Sequence, residues 1–187
     1  ALVAAGVVIG GALTAGNPLL HTNAAPFHGR WELRVRPSAL IPAIVAVAFV
    51  VWGPRFARSM RWRQLLFASS AAAFTWSVSL AVTVGGHGFV SPLTTRYEYL
   101  AGVQSIDGAA AFLRTFTAQL PSIPTHVKGP PPGLVMVLWA LDSVGLNTPF
   151  LAATFVVAVG ASGVAAVLLA VRSVCDEQTA RRAAPFL

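Results

Sequence analysis

Charged residues are scarce in this chain of 187 residues, where only 10% are Asp, Glu, Lys or Arg and 56% are hydrophobic. Soluble domains carry about 25% charged residues, so the chain falls far short of a normal solvated surface. A disordered chain is excluded as well, because disordered chains have low hydrophobicity. Several apolar stretches approach the ~20 helical residues that cross a bilayer. The composition therefore indicates an integral membrane protein.

Acids, lysine and cysteine are rarer still. The chain has six acids, one lysine and one cysteine, Cys175, against twelve arginines. A single cysteine excludes an internal disulfide. The formal net charge of +7 comes mostly from arginines in short segments between apolar stretches. That distribution is typical of the positive-inside rule rather than of phosphate contacts, so we expect no nucleic-acid partner.

Five apolar segments predict an all-α, polytopic membrane bundle of about four to five spans. The third and fifth contain no charged residue and are long enough to cross, whereas the second and fourth are short. A first region, 1–64, would hold the N-terminal helices, and the core would begin at residue 65. The segments are residues 1–20, 37–53, 65–84, 133–147 and 149–171.

Four arginines between the second and third segments predict the orientation. Residues 55–63, the basic segment, contain these arginines and no acid, which favours the cytoplasmic side of the plasma membrane. The loop 85–132 and residues 21–36 would then lie outside the cell. Five full spans would also place the arginine-bearing tail outside, against the rule. A fourth segment that only dips into the membrane would return the tail to the cytoplasm, and both alternatives stay open.

The long loop 85–132 predicts a helix at the membrane surface. Apolar residues recur at helical spacing within 104–120. Ser105 is a candidate N-cap, Asp107 suits the first turn, and Pro121 terminates the helix. We expect at least two helical turns here, lying in the plane of the interface.

Two acids in this loop are the candidate catalytic residues. Glu98 lies between Tyr97 and Tyr99 and two residues after Arg96. A carboxylate held near a membrane surface by aromatic neighbours suits a general base. The alternative is a solvated acid paired with Arg96. Asp107 is the reserve candidate, and its alternative role is to stabilise a helix start.

Three basic residues are the candidates for binding a phosphate. Lys128, His126 and Arg96 lie in the same loop, and such groups suit an anionic lipid phosphate. The alternative is that they anchor the loop at the interface. The four histidines are scattered without metal-ligand spacing. The sequence therefore supports no cofactor, and no pattern in it supports a divalent metal.

A proline-rich run, LPSIPTHVKGPPPG at 120–133, carries a resemblance to a known family. Together with the basic segment, the core helix and the outer loop with its early acid, it resembles the N-terminal part of GT-C membrane glycosyltransferases. The similarity is to the mannosyltransferase-like and arabinosyltransferase-like proteins of high-GC actinobacteria, over about 65–187. The chain departs from them at Pro130, where relatives commonly have His. It also departs at Glu98, which stands alone where many have an Asp-Glu pair.

The resemblance implies an inverting transfer of a sugar from a polyprenyl-phosphate donor to a glycan acceptor of the cell envelope, in the plasma membrane. Glu98, with Asp107 in reserve, would deprotonate the acceptor hydroxyl. Lys128, Arg96 and His126 would stabilise the leaving phosphate.

The chain begins without Met and ends in an apolar phrase, so we expect it to be a fragment of a longer enzyme. The alternative function is a non-catalytic membrane protein, either a transporter fragment or an assembly subunit. Transporters place ionisable residues inside their spans, and these spans are nearly free of charge.

Overall fold

The computed structural model describes residues 2–16 and 36–187, and within these ranges every regular element is a helix. Contacts group the chain into two compact units, Ala1–Val35 and Arg36–Leu187. In the first unit, α1 (Leu2–Gly16) is an apolar helix of 15 residues. The rest of the predicted first span, residues 17–20, lies outside the described residues, as do 21–35 with two of the four histidines.

Three helices of the second unit are long and apolar enough to cross a membrane, which indicates a membrane protein. They correspond to the predicted second, third and fifth spans. Helix α2 packs on α3 and on the C-terminal helix. The three helices are α2 (Leu40–Ser59, preceded by a 3-10 turn at Pro37–Ala39), α3 (Trp62–Ala81, extended by Val82–Val84) and α9 (Pro149–Val174).

The predicted fourth span is too short to cross. Its helix, α8 (Gly133–Ser143), has 11 residues and is therefore about 16 Å long, roughly half of a ~30 Å hydrocarbon core. Gly145 follows with a φ of +83°, a conformation that glycine adopts without a Cβ clash. The chain then turns into α9, whose first turn Thr148 caps by accepting a hydrogen bond from the Leu151 amide at 3.2 Å.

The C-terminal tail lies at the same end of the bundle as the basic segment. The Arg181 guanidinium donates to the carbonyl oxygens of Ala57 at 2.8 Å and Met60 at 2.9 Å. The guanidinium carbon of Arg172 lies 4.6 Å from the centroid of the Trp62 ring. The tail and the basic segment therefore lie at one end of the bundle, which is the arrangement expected from a fourth segment that does not cross.

Acids at the start of α10 (Glu177–Ala183) hold the tail in place. Asp176 accepts a hydrogen bond from the Thr179 amide at 2.6 Å, which stabilises the helix N-terminus. The hydrogen bonds from Thr179 hold the pKa of Asp176 below its ordinary value. Glu177 contacts Arg181 at 2.7 Å and Arg172 at 2.9 Å.

We expect the native Cys175 and a cysteine at position 59 to react with a membrane-impermeant maleimide from the same side. Both positions lie at the end of the bundle where Arg181 bonds to α2, and Cys175 is exposed. The measurement compares labelling in intact cells and in inverted vesicles for the native chain, Cys175→Ser/Ser59→Cys and Cys175→Ser/Thr125→Cys. Labelling of Thr125→Cys from the opposite side is expected. Opposite accessibility of Cys175 and position 59 would contradict this topology.

The loop 85–132 folds together with α8 around an apolar core, and residues 85–143 are called the cap below. Buried side chains from the loop, from α8 and from the start of α9 form one cluster. The Trp139 indole on α8 donates to the Ile106 carbonyl oxygen at 3.1 Å. The loop helices are α4 (Ser91–Thr94), α5 (Tyr99–Val103), α6 (Ala109–Gln119) and α7 (Thr125–Lys128).

Helix α6 lies inside the range predicted for the loop helix, but it starts differently. Its N-cap is Gly108, without a side-chain cap. The Ser105 hydroxyl instead donates to the Gly102 carbonyl oxygen at 2.7 Å, so the predicted cap is wrong. Asp107 precedes the helix rather than lying in its first turn. The helix ends just before Pro121, where the missing amide and the ring of proline stop a helix.

Close packing of α5 against α7 requires glycine at position 102. A Cβ at Gly102 would lie 2.9 Å from Cγ2 of Val127 and 3.4 Å from Cγ2 of Val135. Both valines are fully buried. The small residue therefore lets α5 approach α7, and this approach positions the site described next.

Candidate functional site

Glu98 and His126 form a side-chain contact at hydrogen-bond distance that joins two segments of the cap. Nδ1 of His126 lies 2.8 Å from Oε1 of Glu98. Glu98 occupies the extended position before α5, and His126 lies in α7, which begins after Pro124. The His126 amide also donates to the Tyr97 carbonyl oxygen at 3.0 Å. A backbone bond therefore fixes the spacing of the two segments that carry the pair.

The two members of this pair differ in exposure. The Glu98 side chain is 14% exposed and the His126 side chain is 55% exposed. A carboxylate can only accept hydrogen bonds, so Nδ1 of the imidazole is the donor. Within the described part of the chain, no residue bonds to the other ring nitrogen, Nε2. The exposed imidazole can therefore accept a proton there while Glu98 holds its orientation, as the carboxylate of a catalytic triad does.

Two basic side chains line a groove in the cap. Arg96 and Lys128 both line a shallow cavity of about 410 Å³. Both residues are exposed, so a ligand can reach them. The lining also includes Ser105, Ser122 and Thr125 and no acid, and the hydroxyls of Ser105 and Ser122 donate to the backbone carbonyl oxygens of Gly102 and Gln119. Guanidinium and ammonium groups are donors that suit a phosphate.

Each of these two basic side chains contacts a neighbouring group of the cap. Nζ of Lys128 donates to the Pro121 carbonyl oxygen at 3.2 Å. The Arg96 guanidinium donates to the Tyr97 hydroxyl and lies 4.6 Å above the centroid of that ring. Arg96 therefore contacts Tyr97, and the alternative pairing of Glu98 with Arg96 is not formed. Glu98 contacts His126 instead, and Arg96 and Lys128 line the groove.

The structure brings together four of the five predicted site residues. Glu98 and His126 contact each other, and Arg96 and Lys128 share the groove. The pair lies beside the groove, because Tyr97 and Thr125, which line it, are the chain neighbours of Glu98 and His126. Asp107 is exposed and is neither in the pair nor in the groove lining.

Residues that the sequence analysis did not single out complete the groove. Ser122 and Thr125 supply hydroxyl groups, and Tyr97 supports Arg96. The proline-rich run contains both Ser122 and Thr125, and their position near Lys128 in the sequence could have indicated that they line the same groove. Tyr97 gave no such signal, because a stacked tyrosine and a tyrosine at the interface look alike in sequence.

Within residues 2–16 and 36–187, no group of three or more His, Cys, Asp or Glu is placed to hold a metal ion. The Glu98–His126 pair offers two ligand side chains, whereas catalytic zinc sites use three.

Comparison of the chain with protein-family models, with curated proteins and with solved structures finds no match. The function proposed below therefore depends on the geometry of the cap and on the resemblance carried by residues 120–133.

Proposed function

We propose that the chain is a GT-C-type membrane glycosyltransferase that transfers a sugar from a polyprenyl-phosphate donor to a glycan acceptor of the cell envelope. The observation that carries the proposal is the Glu98–His126 pair beside a groove with two cations, Arg96 and Lys128. Transfer from a lipid phosphate needs a group that takes a proton and groups that bind the departing phosphate. The cap contains candidate residues for both roles.

His126 and Glu98 would act together as the base. The acceptor hydroxyl oxygen attacks the anomeric carbon and forms the new glycosidic bond, while the bond from that carbon to the phosphate oxygen breaks. The hydroxyl proton goes to Nε2 of His126, and Glu98 stabilises the resulting imidazolium. The sequence alone favoured Glu98 as the direct base. The larger exposure of His126 makes it the group that meets the hydroxyl, with Glu98 as its partner.

Arg96 and Lys128 would bind the phosphate that leaves with the bonding electron pair. The leaving polyprenyl phosphate gains negative charge in the transition state, and positioned donors stabilise that charge. The guanidinium of Arg96 is already oriented by Tyr97, so little ordering is needed when the donor binds.

The proposed orientation places the cap outside the cell and the basic segment in the cytoplasm of a plasma-membrane protein. Seven arginines lie at one end of the three spans, four in the basic segment and three at 172–182. Because the tail joins the basic segment, this orientation satisfies the positive-inside rule at both. Helix α6 would then lie at the outer interface, where its exposed apolar face meets lipid.

A donor assay in membranes that contain the protein tests this function. Membranes are incubated with polyprenyl-phosphate mannose or arabinose and a cell-envelope glycan, and the release of polyprenyl phosphate is measured. We expect release that depends on the protein and on the acceptor. Absence of release with both donors, while the protein remains folded, would favour the non-catalytic alternative, an assembly subunit or a transporter part.

Replacing Lys128 by Ala should lower kcat/KM for the donor by about 10- to 100-fold, because a hydrogen bond to a charged group is worth about 1.5–3 kcal/mol. The change removes a contact to the phosphate of the bound donor and of the leaving group, so KM should rise and kcat should fall. Initial rates at varied donor concentration measure both constants. The control is Arg114→Ala, which removes an exposed cation from α6 outside the groove. An equal effect of both variants would contradict a specific phosphate contact.

A further inference from the structure

Helix α7 has a single buried side chain, that of Val127. Val127 is 1% exposed, whereas His126 and Lys128 on either side of it are exposed. The helix has only four residues and begins after Pro124, and a helix this short is not stable on its own. Apart from the backbone bond between His126 and Tyr97, the position of α7 against α5 therefore depends on the contacts of Val127.

Val127 packs directly on Gly102 of α5. A Cβ at Gly102 would lie 2.9 Å from Cγ2 of Val127. Because carbon atoms in contact are about 3.5–4.0 Å apart, any larger residue at position 102 would push α7 away by roughly 0.6–1 Å. The Val127 side chain cannot turn aside, because it is fully buried and a β-branched side chain has few χ1 rotamers.

This contact lies between the two halves of the candidate site. Glu98 and Arg96 precede α5, and His126 and Lys128 belong to α7. A movement of α7 relative to α5 therefore displaces His126 and Lys128 together. The contact from Nδ1 of His126 to Oε1 of Glu98 is 2.8 Å long. Lengthening it by about 0.6 Å would exceed the usual N–H···O range of about 2.7–3.2 Å.

We propose that Val127 is a positioning residue, which through its packing on Gly102 places His126 against Glu98 and Lys128 in the groove. The effect of Val127 on turnover rests on the proposed function, whereas its effect on the His126–Glu98 contact does not.

Alanine at position 102 separates this role from a local one. Gly102 is helical, and alanine stabilises a helix more than glycine does. If the contact with Val127 had no role, Gly102→Ala would stabilise α5 and leave the site unchanged. If Val127 positions α7, the same substitution displaces His126 and Lys128.

The ring-nitrogen NMR signals of His126 report the placement of α7 without any substrate. The full chain with ¹⁵N-labelled histidine is reconstituted in phosphatidylcholine vesicles in alkaline buffer, and the His126 signals are assigned from their loss in His126→Gln. We expect the proton on Nδ1, because the partner of a ring nitrogen sets the tautomer. Gly102→Ala should give a mixture of tautomers. Gly102→Ala/Val127→Ala should restore the native signals, because it removes the methyl group that the new Cβ meets.

Initial rates of polyprenyl phosphate release measure the consequence for the reaction. Gly102→Ala should lower turnover by about 10²-fold, the loss that a misplacement of about 1 Å can cause. Gly102→Ala/Val127→Ala should recover most of it. The matched control is Gly102→Ala/Val103→Ala, which removes the same two methyl groups from the next buried residue of α5. Adjacent residues of a helix do not face each other, so this control should restore neither the turnover nor the His126 signals.

Native His126 signals in Gly102→Ala, or equal recovery in the two double variants, would overturn the proposal. If Gly102→Ala loses the fold of the cap, recovery of the native signals with Val127→Ala alone still supports it, and failure to recover overturns it. The expected NMR changes in a chain that releases no polyprenyl phosphate would refute the glycosyl transfer while supporting Val127 as the residue that positions the pair.

Discussion

Turnover of Glu98→Gln is expected to fall by about 10²- to 10⁴-fold, the usual contribution of general base catalysis. Glutamine keeps the shape of the side chain but removes the negative charge that stabilises the His126 imidazolium. His126→Gln should lose a similar factor, because it removes the proposed proton acceptor itself. The double variant should be no worse than the more damaging single one, because groups that act as a unit are not additive.

Initial rates of polyprenyl phosphate release measure these losses. Asp142→Asn is the matched control, because it makes the same acid-to-amide change at an exposed position on α8. Asp107→Asn separates the two acids of the loop, and we expect it to keep near-normal turnover. Near-normal turnover of Glu98→Gln, or a large loss in Asp107→Asn, would return the reserve candidate Asp107 to the role of base.

Replacing Phe112 by Ala should destabilise the cap by about 3–5 kcal/mol, the usual cost of removing a buried phenyl ring. Phe112 is 3% exposed and belongs to the apolar cluster of the cap, where it also contacts the ring of Phe116 at a centroid distance of 5.5 Å. The matched control is Leu113→Ala on the same helix. Leu113 is 52% exposed, so its loss should cost less than about 0.5 kcal/mol.

Amide hydrogen exchange in detergent or nanodiscs locates this effect. Because the cap has a core of its own, Phe112→Ala should lose protection in α5 and α6, while α3 and the middle of α9 keep theirs. Uniform loss across the spans would show that the cap and the bundle unfold as one unit. Equal effects of the two alanine variants would show that Phe112 has no special place in the cap core.

The sequence predicted the long spans because an uncharged apolar run of 20 residues has few alternatives. The α3 and α9 helices follow such runs. It identified the fourth segment, now α8, as short but left open whether this segment crosses, because an apolar run facing lipid and one packed in protein have the same composition. Val135 of α8 is fully buried in the cap cluster, a contact that hydropathy does not encode.

Long-range contacts explain the remaining differences. The bond from Arg181 to the Ala57 carbonyl oxygen joins residues 124 apart, and it holds the tail at the end of the bundle that carries the basic segment. The sequence did bring Glu98 and His126 together as candidates. It could not show which of them is exposed, since that follows from how the two segments pack in the folded cap. The start of α6 was misplaced because the Ser105 hydroxyl bonds to Gly102 instead of capping a helix.

The central claim is that the groove in the cap binds a lipid phosphate beside the Glu98–His126 pair. Photocrosslinking with a polyprenyl phosphate that carries a diazirine next to its phosphate tests this claim without an acceptor or turnover. Peptide mapping should place the label on 96–105 and 121–128, and unmodified polyprenyl phosphate should compete for it. Label yield should fall about 10-fold or more in Lys128→Ala and stay unchanged in Arg114→Ala. Labelling confined to the spans, or equal yields in both variants, would contradict the claim.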